Sequence, residues 1–394
     1  MAEGLPIPAS LRLAWNARRP VSSTRRRVSV GYCAKVDWQD AAPNSHFSKG
    51  ELGLNTVIEI QAGHRHMRRR RAFLFAALIV VGAVYFANAS WLAPAPKGEA
   101  RLMAHRGIHQ LYQRVGINKD TCTANRMLPP TNPYLENTVP SVAASFRAGA
   151  DILEIDIHPT TDNEFVVFHD WTMDCRTEGR GVTREQSLEY LKSLDVGYGY
   201  TADGGKTFPF RGKGKGMMPS LAEVLKAFPE QRFLINFKSR WIEEADLLRA
   251  YLERHGIMID DRIMVYGHDK PVGRWKTINP KGFAFSKAEM KTCTLDYMKV
   301  GWTTTLPDSC AGSVIGVPIN YRHLLWGWPN RFLERMRQSD TTVIFLGNIE
   351  NQNGAPGITE PDDLDAVPSG FNGLIWTDAI EQVGPAWAKK AGKR

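Results

Sequence analysis

The sequence predicts an α/β protein built as a (β/α)8 TIM barrel, preceded by an N-terminal signal or transmembrane helix. Three observations predict it. Short strand-like runs alternate with helical segments from about residue 100 to residue 388, close to the ~250 residues usual for such a barrel. Residues able to do chemistry sit at or near the ends of those runs: His105, Glu154, Asp156, His169, Asn236 and Lys238. An apolar run, Ala72 to Ala87, directly follows the arginines Arg68 to Arg71.

At the N-terminal side, a basic stretch, an apolar run of 16 residues and the small-residue pattern Ala87-Asn88-Ala89 have the form of an export signal. Sixteen apolar residues are marginal for a span, which needs roughly 17–25, but extension through Trp91-Leu92-Ala93 suffices. A cleaved signal and a retained anchor over residues 67–95 are therefore both open. The arginines send the C-terminal part of the chain across the membrane in either case. The expected location is the cell membrane with the barrel outside the cytoplasm, or the periplasm or exterior if the signal is cleaved. Residues 1–66 are Arg-rich and weakly periodic. They read as an extension upstream of a true start at Met67, or as a disordered cytoplasmic tail.

Net charge is +9. Up to Arg71 there are thirteen Lys and Arg against five Asp and Glu, so the remainder nets only +1. The basic charge belongs to the N-terminus, and a nucleic-acid footprint on the barrel is not expected. Nothing in the composition sets an oligomeric state. Leaving aside Cys33, four cysteines remain, an even number suited to an oxidising compartment. Three pairings are possible. Cys122 and Cys175 both lie in loops after strands, and Cys293 and Cys310 are 17 apart. Those two pairs are the expected ones, with free buried thiols as the alternative.

Nine strands are expected: Arg101–His105, Ile152–Ile157, Phe165–His169, Phe233–Lys238, Ile263–Tyr266, Gly282–Phe285, Val314–Pro318, Thr342–Leu346 and Leu374–Trp376. One exceeds the barrel and is expected to be a hairpin arm or a false strand. The clearest helices are Val139–Ala148, Arg184–Leu194, Leu221–Phe228, Glu243–His255 and Arg331–Gln338. Two insertions, 108–135 and 197–216, are expected over the pocket mouth.

The densest chemistry lies within 65 residues. Glu154 and Asp156 are at i and i+2 on one strand, so both point to one face and can hold one hard divalent cation. His105 and His169, at strand ends, can serve as acid and base around a phosphate on that cation. The motifs are His105-Arg106-Gly107, Glu136-Asn137-Thr138, Gly149-Ala150-Asp151-Ile152-Leu153-Glu154-Ile155-Asp156, Thr161-Asp162-Asn163, and Val166-Val167-Phe168-His169-Asp170 before Arg176-Thr177. In this order they resemble the glycerophosphodiester phosphodiesterase family, in a membrane-anchored or exported bacterial-type form. The resemblance is dense in the first half of residues 100–380 and thin after about residue 240.

The resemblance implies metal-dependent hydrolysis of a glycerophosphodiester to glycerol phosphate and an alcohol. It implies His105 and His169 as the catalytic pair, Arg106 and Lys238 on the phosphate, and a Mg2+ or Ca2+ ion held by Glu154, Asp156, Glu136 and the residue at 236. Glu136 has an alternative role in orienting His105 or Arg106. Where the family often has Glu-x-Lys, this chain has Asn236-Phe237-Lys238, a neutral oxygen in place of a carboxylate. A lysophospholipase-D-like activity on the same barrel is the second reading, with a lysolipid as substrate. A catalytically silent, membrane-tethered binding protein is a third, of a different class, and Asn236 is its support.

Overall fold

Eight parallel strands wrap into a nearly closed barrel. The computed structural model describes residues 51–118, 121–350 and 356–392, with side chains from residue 66 onward. The chain divides into two units between Arg70 and Arg71. Of the first, only the backbone of the opening part of helix α1 (Glu51–Asn88) is described in any length, so the reading of residues 1–66 falls largely outside the described residues. Within α1, His66–Asn88 is long and apolar enough to cross a membrane by length and composition. Phe73, Leu78 and Val81 on it are exposed.

In the second unit the order is β1 (Arg101–His105), α2 (Val139–Arg147), β2 (Ile152–Pro159), β3 (Phe165–Val167), α3 (Leu188–Ser193), α4 (Leu221–Ala227), β4 (Arg232–Phe237), α5 (Glu243–Arg254) and β5 (Ile263–Gly267). Then come α6 (Asp269–Ile278), β6 (Ala284–Ser286), α7 (Lys287–Val300), β7 (Val314–Pro318), α8 (Asn330–Gln338), β8 (Thr342–Leu346), β9 (Leu374–Thr377) and α9 (Ile380–Lys390). Around the barrel the strands run β6, β5, β4, β2, β1, β9, β8, β7. β3 is the ninth strand and lies off this path, antiparallel to β2. It is the hairpin arm that the extra strand-like run called for.

The strands are buried on both faces, as parallel strands under helices must be. Their period of two sorts side chains into two cores. Leu102, Ala104, Leu153, Ile155, Ile235, Val265 and Ile375 face the helices. Met103, Ile152, Leu234, Met264, Tyr266, Leu374 and Trp376 fill the barrel interior. The interior layer is apolar at the lower strand positions, and the next inward positions along each strand carry the polar groups.

Three helices went unread in the sequence. α6 contains Pro271, but this is its third residue, where the backbone N–H has no intrahelical partner to lose. α7 buries only Cys293 and Tyr297, an apolar stripe too narrow to see as a period. α9 carries Pro385 within it. α3 begins at Leu188, later than the expected Arg184, because the Ser187 side chain accepts from the Tyr190 N–H and caps it there. Ser220 and Glu223 form a reciprocal capping box that starts α4. Both expected disulfides form: Cys122–Cys175 and Cys293–Cys310.

Candidate active site

Each polar group reaches the site by strand alternation. On β1, Met103 packs inward, so His105 two residues on does too. On β2, Ile152 fixes Glu154 and Asp156 on the same inner face. On β4, Leu234 does this for Asn236, and Lys238 follows. Register aligns them laterally: His105 is level with Glu154, and Asp156 with Asn236. All of them lie toward the C-terminal ends of the strands, the end where barrel enzymes place their chemistry.

Asp156 is the hub. It accepts from Asn236 Nδ2 at 2.9 Å, Asn137 Nδ2 at 3.2 Å and Lys238 Nζ at 3.2 Å. Arg106 Nε lies 3.3 Å from its other side. Burial alone would raise its pKa, but Lys238, His169 and Arg106 hold it well below the carboxylate range. Glu154 is also fully buried and accepts from the Tyr266 hydroxyl at 2.5 Å. Burial, and then the charge of Asp156, push its pKa up.

The chain turns sharply where β1 ends. Arg106 and Gly107 both have left-handed backbone, at φ 59° and 79°. A side chain at 107 would collide with the Ser141 hydroxyl, which donates to the Ile108 carbonyl at 2.6 Å. This turn swings the Arg106 guanidinium back over the barrel mouth, where Nη1 meets Glu136 at 3.3 Å. Glu136 is held on its other oxygen by Arg176, 3.0 Å away. Of the two roles open to Glu136, orienting Arg106 is the one these contacts match.

The two histidines are built alike. His105 Nδ1 pairs with Asp378 Oδ1 at 2.6 Å, and His169 Nδ1 with Asp170 Oδ1 at 2.6 Å. Burial, followed by Arg106, lowers the pKa of His105 to about 4. Burial, Arg106 and Lys238 do the same for His169, also to about 4. Both rings are therefore neutral near pH 7, with Nδ1–H donating to the carboxylate and the Nε2 lone pair left available.

Three supporting residues carry weight that the sequence pattern did not assign them. Asp378 follows β9, and Trp376 two places earlier points inward, so alternation was the available signal. Asp378 also accepts from the Gly357 N–H at 2.8 Å and pairs with Arg114 from the first insertion. Tyr266 was reachable by the same alternation from Met264. Arg176, quoted only as part of a motif, is 1% exposed and binds Asp170 at 2.9 Å, Thr123 at 2.6 Å and the Tyr200 hydroxyl. Thr123 and Tyr200 come from the two insertions, so both insertions reach this network.

The divalent cation implied by the motifs is matched by donor chemistry. Glu154 and Asp156 are adjacent hard-oxygen donors, and the buried Oδ1 of Asn236 has no hydrogen-bond partner. Among the described residues no three His, Cys, Asp or Glu side chains are grouped to hold a metal. Asn236 brings a neutral amide oxygen beside the two carboxylates.

The fold is a parallel (β/α)8 barrel with two carboxylate-backed histidines, an arginine and a lysine at its mouth. Residues 105–294 match the model of the Glycerophosphoryl diester phosphodiesterase family. A glycerophosphodiester phosphodiesterase of Caldanaerobacter subterraneus subsp. tengcongensis is 35% identical over 103 residues, 26% of this chain and 39% of that protein. One from Bacillus subtilis is 28% identical over 129 residues, 31% of this chain and 43% of that protein. The matches thus span well under half the length of these curated relatives. The crystal structure of the glycerophosphoryl diester phosphodiesterase domain of an uncharacterized protein from Mycobacterium tuberculosis aligns with a TM-score of 0.52 at 16% identity, covering 74% of this chain and 99% of that one, and shares the fold. Over residues 105–294 the chain is therefore similar to the glycerophosphodiester phosphodiesterase family.

Proposed function

We propose that the chain is a phosphoric diester hydrolase that cleaves glycerophosphodiesters to glycerol phosphate and an alcohol. The observation that carries this reading is the symmetric pair of histidines, each backed by a carboxylate on Nδ1, beside Arg106 and Lys238. Arg106 can bind two phosphate oxygens at once, and Lys238 adds a second positive charge. One histidine accepts the proton of the attacking hydroxyl, and its partner, which takes up a proton from water as the negative phosphate enters the site, delivers it to the leaving alcohol oxygen. The glycerol hydroxyl beside the phosphate is a suitable internal nucleophile, since effective molarity favours it. Water then opens the cyclic phosphate as the histidines exchange roles.

Glu154, Asp156 and the Asn236 oxygen would hold a Mg2+ or Ca2+ ion, with Glu136 beside them through Arg106. Such an ion would supply Lewis-acid stabilisation of charge growing on the phosphate. The apolar stretch His66–Asn88 supports membrane anchorage with the barrel outside the cytoplasm. The same stretch favours a second reading, a lysophospholipase-D-like hydrolase acting on lysolipids.

Product analysis tests both. Purified protein is given glycerophosphocholine, glycerophosphoethanolamine and lysolipids, each with and without chelator. Chelator-sensitive release of glycerol phosphate supports the first reading, and preferential cleavage of lysolipid supports the second. No turnover of any of them would leave a silent binding protein.

A further inference from the structure

Arg335, on α8, grips the end of α1. Its Nη2 donates to the Ala87 carbonyl at 3.1 Å and its Nη1 to Asn88 Oδ1 at 2.9 Å. The same Nη1 lies 3.3 Å from the Gly301 carbonyl and 3.4 Å from the Trp326 carbonyl. Asn88 in turn donates to the Trp302 carbonyl at 2.9 Å. The terminal carbonyls of a helix lack donors of their own, and here the barrel provides one. Residues 87, 88, 301 and 326 therefore converge on one guanidinium, and Trp302 joins them through Asn88.

Three tryptophans lie on the segments joined there, and all are exposed: Trp91 66%, Trp302 44% and Trp326 38%. Three exposed large rings on segments held together by these contacts mark an interaction surface. Tryptophan is enriched where a span meets the headgroups, because the ring is apolar and its N–H is polar. His66–Asn88 measures roughly 34 Å at ~1.5 Å per residue, against a hydrocarbon core of ~30 Å. Its near end carries Arg68–Arg71. Trp91 stands three residues beyond the far end, so it falls at headgroup level. Trp302 and Trp326, tied to the same last turn, fall there too. The Cys293–Cys310 disulfide closes the segment that carries Trp302 back onto α7.

We infer that Trp91, Trp302 and Trp326 seat the barrel on the headgroup layer of the bilayer, in one fixed attitude set by Arg335. The inference rests on reading His66–Asn88 as a retained anchor. Cleavage after Ala89 would remove Ala87 and Asn88, two partners of Arg335.

The test uses the full chain in phosphatidylcholine nanodiscs, with or without lipids brominated high on the acyl chains. Emission excited at tryptophan wavelengths is compared between wild type and W91F/W302F/W326F. Phenylalanine keeps the apolar contact and does not emit there, so the docked state survives the substitution. The expected result is that bromolipid quenching falls by more than half in the triple variant. Equal quenching in the two proteins, with both retained in membranes after carbonate extraction, overturns the seat while leaving the anchor standing. Release of the wild-type chain by carbonate overturns the anchor and the seat together.

Discussion

His105 Nδ1 and Asp378 Oδ1 are 2.6 Å apart across 273 residues of chain, because β1 and β9 are neighbours in the barrel. The carboxylate fixes the imidazole with its proton on Nδ1 and leaves Nε2 free on the side of Glu154, whose Oε2 is 3.8 Å away. Asp378→Asn should lower kcat by about 10²-fold or more with KM little changed, by allowing the opposite tautomer, and Asp378→Glu should recover part of the loss. A kcat within twofold of wild type for Asp378→Asn would remove this pair from the mechanism.

The same carboxylate should appear in the pH dependence of stability. Burial opposes its charge, yet Arg114 and then His105 hold its pKa far below the ordinary range. A depressed folded pKa contributes stability that is fully present above the unfolded value of about 3.9 and fades as pH falls below it. Thermal melts from pH 7 down to pH 3 should therefore show a shallower acid decline in Asp378→Asn than in wild type. Parallel declines would mean that Asp378 is not charged in the native state.

His105→Ala and His169→Ala should each reduce turnover of glycerophosphocholine by roughly 10²–10⁴-fold while leaving the circular dichroism spectrum unchanged. A near-normal rate in either variant, with wild-type turnover shown to be chelator-sensitive, takes that residue out of the acid–base pair.

Asn236 provides a direct probe of the cation. Asn236→Glu should tighten Mg2+ or Ca2+ binding by adding a third carboxylate, and Asn236→Leu should weaken it by removing the unpartnered oxygen. Calorimetric titration of chelator-stripped protein reads this directly. Identical affinities in all three proteins would place position 236 outside the coordination sphere.

Cys175 adjoins Arg176, whose guanidinium holds both Asp170 and Glu136. Replacing Cys122 and Cys175 with serine should cost about 4 kcal/mol by loop-closure entropy for a separation of 53 residues. It should also slow turnover through Arg176. A lower melting temperature with unchanged kcat would confine the disulfide to a structural role.

The sequence by itself determined the alternation of strands and helices, the face shared by Glu154 and Asp156, the two histidines and an even set of four cysteines, while the structure decided among their possible pairings. These are local properties. A period of two, a strand end and an even set of cysteines can all be read along a short window of chain. Eight of the nine expected strands became barrel strands for the same reason. Only the tertiary structure decided which carboxylate stands behind His105, because β9 is brought beside β1 by barrel closure and not by any nearby residue. Closure likewise brings Tyr266 to Glu154 and Arg335 to the end of α1. Arg114 and Arg176 belong here too, since insertion loops have no period from which their reach can be read. The contacts made by Glu136 were settled in the same way: two arginines from different loops claim its two oxygens, an outcome fixed by distance in space rather than spacing in the chain.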